Sequence, residues 1–222
     1  MKIKFTKMQA LGNDYIYVNC FSQKLSKVNL PKLAERICDR HFGVGSDGLI
    51  IAVPGKTHKF RMIFYNPDGS EAEICGNGIR CFARFLYDQG LSKSKVQDIE
   101  TLAGVIHTEI LKTGQIFLIC TDIGRPILDR KKIPVKGKAK FCVNESLNLN
   151  GRKVQFTSVS LGNPHTLIFV NEFDSDWREI GKMVENHPIF HRRTNVEFVK
   201  IVNRRRIRLK IWERGAGETL AS

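Results

Sequence analysis

The sequence predicts a mixed α+β protein, and three observations carry that expectation. Short strand-like runs recur along most of the 222 residues; only three stretches carry a helical signal; and a glycine-asparagine turn near the start is echoed after residue 160. In chain order, Ile3 and Phe5 alternate with polar residues, 15–18 is β-branched and aromatic, and Leu11-Gly-Asn-Asp14 between them is a turn signal, so the chain opens as a hairpin. Asn29 is placed to cap a helix with Pro31 in its first turn and Leu33, Ala34, Ile37 and Cys38 as its apolar stripe, stopping near Gly43. A glycine-rich loop, Phe42-Gly-Val-Gly-Ser-Asp-Gly48, leads into a strand at 49–53; it matches neither a P-loop nor a G-x-G-x-x-G pattern. Phe60, Met62 and Phe64 alternate along the next strand. Ile79, Phe82, Ala83 and Leu86 then fall at i, i+3, i+4 and i+7, the stripe of a central helix that opens just after Cys75 and ends near Gly90. Strands follow at 105–111, 115–121, 154–159, 165–170, 195–202 and 206–212, with a helix at 177–186.

The length allows one large domain or two smaller ones, and the basic, proline-marked stretch 124–137 is the boundary candidate, giving halves 1–123 and 124–222. The net charge of +14 has two readings: attraction of nucleic acid or an anionic surface, or a solvated basic exterior. Most Lys and Arg are scattered, with 125–140 and 203–210 the densest runs, which favours the second reading; Ile207, Leu209 and Ile211 alternate with charges as on one face of a strand, so no nucleic-acid partner is expected. Salt-sensitive RNA or DNA binding would support that rival. Six cysteines, Cys20, Cys38, Cys75, Cys81, Cys120 and Cys142, form no C-x-x-C pair and have no close companion histidines, so neither zinc nor a disulfide framework is expected, and they fit a reducing cytosol. The start lacks the apolar core of a signal peptide and the longest apolar run is far too short to span a bilayer; the expectation is a soluble cytoplasmic protein with no membrane partner.

The chemistry concentrates in Asn66-Pro-Asp-Gly-Ser-Glu-Ala-Glu-Ile-Cys75-Gly-Asn-Gly-Ile-Arg-Cys81. It puts Cys75 at a helix entrance with Gly76, Asn77 and Gly78 as the first turn. Helix-end N–H groups favour thiolate, lowering a thiol from its free pKa of about 8.5 toward neutrality, and the same groups seat a carboxylate. A base beside a carboxylate seat points to proton abstraction at the adjacent carbon. The alternative is a buried free cysteine beside a glycine turn. The internal echo adds a second position. Gly12-Asn-Asp14 is matched by Gly162-Asn-Pro-His165, and Gly12 to Cys75 spans 63 positions against 60 from Gly162 to Ser222, so Ser222 stands where a second cysteine is expected.

Together these segments resemble the diaminopimelate epimerase family. The resemblance rests on Lys7-Met-Gln-Ala-Leu-Gly-Asn-Asp-Tyr15, Arg40-His-Phe-Gly-Val-Gly-Ser-Asp-Gly48, Asn66 to Cys81, Thr101-Leu-Ala-Gly104, Gly124-Arg-Pro126, Leu161-Gly-Asn-Pro-His165, Arg193-Thr-Asn-Val-Glu-Phe198 and Trp212-Glu-Arg-Gly215. It implies two pseudo-symmetric halves, each a curled, mainly antiparallel sheet around a central helix, with the active site between them. It further implies cofactor-independent epimerisation of LL- to meso-diaminopimelate, in lysine and peptidoglycan precursor synthesis. Two cysteines act from opposite sides of the α-carbon, one removing the proton and one delivering another.

By the same resemblance Cys75 is one catalytic thiol and Ser222 takes the position of the second. Gly76 and Asn77 hold the reacting carboxylate; Asn13, Asn66, Asn163 and Asn195 bind the substrate's polar groups. Glu213 and Arg214 recognise charged ends, while His165 with Glu213 tunes the catalytic positions. No metal or other cofactor is implied, and a homodimer is a possible partner arrangement. Local structure is the competing account of each residue: turns for Asn13, Asn66 and Asn163, a satisfied core histidine for His165, a surface pair for Glu213 and Arg214.

The family pattern continues with a cysteine and a helix where this sequence reads Ala221-Ser222. The expectations are that the second central helix is absent, that the apolar inside of the second sheet is exposed, and that the chain as written does not epimerise. Another cofactor-independent amino-acid racemase and an inactive scaffold remain as rivals; retention of Glu213 and Arg214 argues against a simple apolar substrate.

Overall fold

The computed structural model describes residues 2–220, which divide into two compact units, one ending at Ile123 and the other beginning at Gly124. The first unit opens with a hairpin of β1 (Thr6–Ala10) and β2 (Asn13–Asn19), turned by Leu11 and Gly12, both in the left-handed region. The ladder starts at Thr6, paired with Tyr17, so Ile3 and Phe5 precede it rather than belonging to it. α1 (Leu30–Cys38), capped by Asn29 as its sequence predicts, crosses over to β3 (Leu49–Pro54), which lies parallel to β2. α1 ends at Cys38, earlier than the glycine signal suggests. Beyond it the chain coils tightly, and the amides of Gly43, Val44, Gly45 and Ser46 bond back to carbonyls of residues 37–39. β4 (Phe60–Tyr65) pairs antiparallel with β3, and the two-residue β5 (Glu71–Ala72) pairs with β4. After the central helix α2 (Gly76–Asp88), β6 (Val96–Thr101), β7 (Gly104–Lys112) and β8 (Leu118–Asp122) complete the sheet. β6 is largely polar and is held by its pairing with β7 and a short parallel join to β4, not by a periodic apolar pattern.

α2 touches both terminal strands, β1 and β8, as well as β2, β3 and β7, so the sheet curls around it. Ile79, Phe82, Ala83, Phe85 and Leu86 pack against Tyr15, Tyr17, Ile50, Phe60, Met62 and Phe64. Burying a large apolar side chain contributes ~1.5–3 kcal/mol, so four of these outweigh the ~1 kcal/mol that each glycine costs a helix. That surplus lets Gly76 and Gly78 stand in the first turn. The opposite face of β2 and β3 carries Ile16, Val18, Leu49 and Ile51 and is covered by Ala34 and Cys38 of α1.

The second unit repeats the connectivity of the first. β9 (Glu145–Leu149) precedes β10 (Arg152–Ser160) and β11 (Pro164–Phe169), a hairpin turned at Gly162 with the same positive φ of 95° that Gly12 has. α3 (Trp177–Glu185) then crosses over to β12 (Asn195–Asn203), parallel to β11, followed by antiparallel β13 (Arg206–Glu213) and β14 (Gly217–Thr219). The series β1-β2-α1-β3-β4-β5 thus matches β10-β11-α3-β12-β13-β14 step for step. Trp177, Ile180 and Val184 of α3 pack with Val154, Phe156, Ile168, Val196 and Phe198 on one face. The other face of β11–β13, where Phe169, Ile201, Ile207 and Leu209 are all exposed, carries no covering helix among the described residues.

Candidate active site

Cys75 is the N-cap of α2. Its extended backbone turns the chain off β5, and its Sγ accepts a hydrogen bond from the Gly78 amide at 3.4 Å. The entrance is tight on one side and open on the other. A Cβ at Gly78 would lie 2.9 Å from Ile50 Cδ1 and 3.5 Å from Sγ, whereas one at Gly76 would meet only Arg80 Nη1 at 3.7 Å. The first-turn amides therefore have room beside them on the Gly76 side, the geometry a carboxylate seat requires.

Three residues of β2 shape the thiol's surroundings. Tyr15 Oη lies 2.9 Å from Sγ, and Asn13 Nδ2 donates to the same phenol oxygen at 3.2 Å. Tyr17 Oη donates to the Gly78 carbonyl at 2.9 Å. Cys81, one turn into α2, is a contrast: burial pushes its thiol up, with the Tyr17 hydroxyl and the Arg80 and Arg84 charges opposing only in part. Asn77 is fully buried and its side-chain oxygen accepts from Arg80. Asn66 closes the turn before β5: its amide donates to the Ser70 carbonyl at 2.8 Å, its carbonyl accepts from the Gly69 amide at 3.0 Å, and Nδ2 donates to Ser70 Oγ at 3.1 Å. The hairpin that carries Asn13 is pinned to the glycine loop by charges. Arg40 bonds Asp14 at 2.8 Å and Asp47 at 2.6 Å, and Lys7 bonds Asp14 at 2.9 Å.

The second unit gathers its own group. His165 Nδ1 lies 2.6 Å from Glu197 Oε1, and Nε2 lies 2.9 Å from Asn163 Oδ1. Two oxygen acceptors suit an imidazolium. Burial opposes the charged ring, but the Glu197 hydrogen bond and charge, assisted by Glu213 and countered by Arg214, raise its pKa above 6.5. Glu213 thus acts on the ring through its charge, while the hydrogen-bonded carboxylate is Glu197. Asn195 is a bridge: Nδ2 donates to the Pro164 carbonyl at 3.1 Å, and Oδ1 accepts from the Arg214 amide at 2.9 Å. Glu185, at the end of α3, accepts from Trp212 Nε1, the Gly215 amide and Arg193 Nη1.

Asn13, Asn66, Cys75, Gly76 and Asn77 fall together in the first unit, and Asn163, His165, Asn195, Glu213 and Arg214 in the second. Ser222 lies outside the described residues.

Tyr15, Glu197 and Glu185 were not among the residues the sequence singled out. Tyr15 read as one more apolar strand residue, and Glu197 as part of a matching block. Glu185 had a legible sign, since an acidic residue in the last turn opposes the helix dipole and points to a tertiary partner.

The sequence model of diaminopimelate epimerase matches residues 5–128 and 157–222. The chain belongs to the diaminopimelate epimerase family. It is 46% identical over 219 residues to the diaminopimelate epimerase of Pelotomaculum thermopropionicum, covering 98% of this chain and 78% of that protein. It is 43% identical over 221 residues to that of Methanococcus maripaludis, covering 99% and 79%. The fold is shared more widely. A hydroxyproline epimerase from Agrobacterium vitis superposes with a TM-score of 0.74 at 10% identity, covering 99% of this chain and 72% of that one. A probable proline racemase from Agrobacterium radiobacter gives 0.73 at 11%, covering 99% and 73%. As a diaminopimelate epimerase family member the protein is an isomerase of amino acids, acting on a small-molecule substrate. No helix among the described residues is long and apolar enough to cross a membrane.

Proposed function

We propose that the site is of the kind that converts LL- to meso-diaminopimelate by two-base proton transfer at the α-carbon, without pyridoxal phosphate or metal, in a cytoplasmic lysine and cell-wall precursor route, with Cys75 as the base that this chain supplies. The observation that carries this reading is Cys75 at the N-cap of α2, with the open Gly76 side of the first turn beside it. A thiolate there removes the α-proton while the first-turn amides bond the reacting carboxylate and stabilise the charge that develops on it. Asn77 lies in that turn, its side chain drawn to Arg80, and Asn13 and Asn66 bind polar groups of the substrate. Asn163, Asn195, Glu213 and Arg214 bind the substrate's remaining charged and polar groups. His165, whose pKa the Glu197 carboxylate raises against the opposing effect of burial, tunes the second catalytic position.

Inversion needs a second acid on the opposite face of the carbon, because one base returning its proton to the same side gives exchange without inversion. The family's position for that acid reads Ser222 in this sequence, and a serine hydroxyl is far too weak an acid to replace a thiol, so α-proton exchange without inversion is the expected outcome with Ser222 in place of the second cysteine. The test is incubation with LL-diaminopimelate in deuterated water, reading α-deuterium and stereochemistry together, beside Cys75→Ala and Ser222→Cys. Exchange that disappears in Cys75→Ala supports the reading. Inversion by the chain as written would refute the two-thiol account, and exchange that survives Cys75→Ala would refute the assignment of the base.

A further inference from the structure

We propose that Tyr15 is a positioning residue for the thiolate of Cys75, its phenol O–H donating to Sγ when the thiol is ionised. The inference rests on the reading of Cys75 as the base, and three features of the first unit support it. The Oη–Sγ distance is 2.9 Å. The ring is 1% exposed and locked by edge contacts with Tyr17 and Phe64, so the hydroxyl is held in place before any substrate arrives. Asn13 Nδ2 donates to the same oxygen at 3.2 Å, which orients the phenol proton toward sulfur and strengthens it as a donor.

Ionisation changes the bond. With a neutral thiol either atom can donate, and the pair is weak; with a thiolate the phenol alone donates, in a charge-assisted bond roughly twice as strong as a neutral one. Tyr15 therefore favours the ionised form and fixes the direction of the remaining sulfur lone pairs. The other titratable groups around Cys75 are Tyr17 on β2, bonded to the Gly78 carbonyl; Arg80 on α2, drawn to Asn77; Cys81, buried; and Glu73, two residues before. Tyr15→Phe keeps the ring that meets Tyr17 and removes only the hydroxyl. Asn13 acquires a second role here: it tunes the base through the phenol.

The test is the pH-rate profile of iodoacetamide alkylation in the full chain, read at Cys75 by peptide mass spectrometry with exposed Cys120 as internal reference. Tyr15→Phe is expected to move the Cys75 profile to higher pH and to slow its alkylation at neutral pH about tenfold, the equivalent of one charge-assisted hydrogen bond lost. Cys120 should not change. Incorporating 3-fluorotyrosine at position 15, which keeps the ring and makes its O–H a stronger donor, should move the profile to lower pH; this arm holds even where Tyr15→Phe does not fold. Tyr17→Phe, which removes a neighbouring phenol bonded to backbone, should leave the Cys75 profile in place. Profiles for the phenylalanine and fluorotyrosine chains that coincide with the unsubstituted one would overturn the proposal. Alkylation needs no substrate, so the outcome is separable from the proposed function. A shifted profile without α-proton exchange would sink the function and keep the pairing, and the reverse result would do the opposite.

Discussion

Removing the carboxylate of Glu185 should destabilise the second unit by about 3 kcal/mol. The residue is 5% exposed, and its two side-chain oxygens accept from three donors: Trp212 Nε1 at 2.8 Å, the Gly215 amide at 3.0 Å and Arg193 Nη1 at 3.2 Å. In Glu185→Ala the indole and the Gly215 amide lose their partner inside the protein, at about 1–3 kcal/mol each. Arg193 is 37% exposed and regains water, so its share is about 0–1 kcal/mol. Relief from holding a buried carboxylate offsets about 1 kcal/mol, leaving the net near 3. Glu185→Gln keeps one carbonyl acceptor but turns an amide N–H₂ toward a donor, and should cost about half as much. The assay is urea unfolding followed by tryptophan fluorescence, since both tryptophans, Trp177 and Trp212, belong to this unit. A loss below about 1 kcal/mol in Glu185→Ala, or equal losses in the two variants, would refute the hub account. The site should feel the same change, because Gly215 adjoins Glu213 and Arg214, and loosening it frees the turn that Asn195 clamps from the other side.

Glu197→Gln should lower the titration of His165, read from its ring-proton NMR shift, because burial then opposes the imidazolium without its carboxylate. With the folded pKa raised, this group's stabilisation is complete below pH 6.5, its ordinary value, and is lost as pH rises through the folded value. The variant should lack that alkaline loss, and an unmoved titration would refute the pairing. Gly43→Ala should cost about 3 kcal/mol in urea unfolding, because a Cβ there would lie 2.2 Å from the Arg36 carbonyl and under 3 Å from two more. Gly90→Ala, whose Cβ meets nothing within 4 Å, should cost only the strain of a positive φ of 67°, about 1 kcal/mol. Equal costs at the two glycines would show that close approach is not what holds position 43.

What the sequence determined by itself is what depends on near neighbours. The stripe of Ile79, Phe82, Ala83 and Leu86, the cap at Cys75 and the glycines of the first turn define α2 within a dozen residues, and Asn29 with Pro31 defines the start of α1. The echo of Gly12 in Gly162 was legible for the same reason, since a tight hairpin turn imposes its backbone demand locally. Tertiary structure decided whatever depends on register between distant segments. β6 exists through its partners β7 and β4, and β11 and β12 lie side by side only after α3 has crossed over. Tyr15 meets Cys75 across 60 residues, and Glu197 meets His165 across 32. In a strand, a phenol that packs and a phenol that bonds a thiol read alike. Which one it is depends on where the helix entrance comes to rest, and that is fixed by how the curled sheet closes around α2.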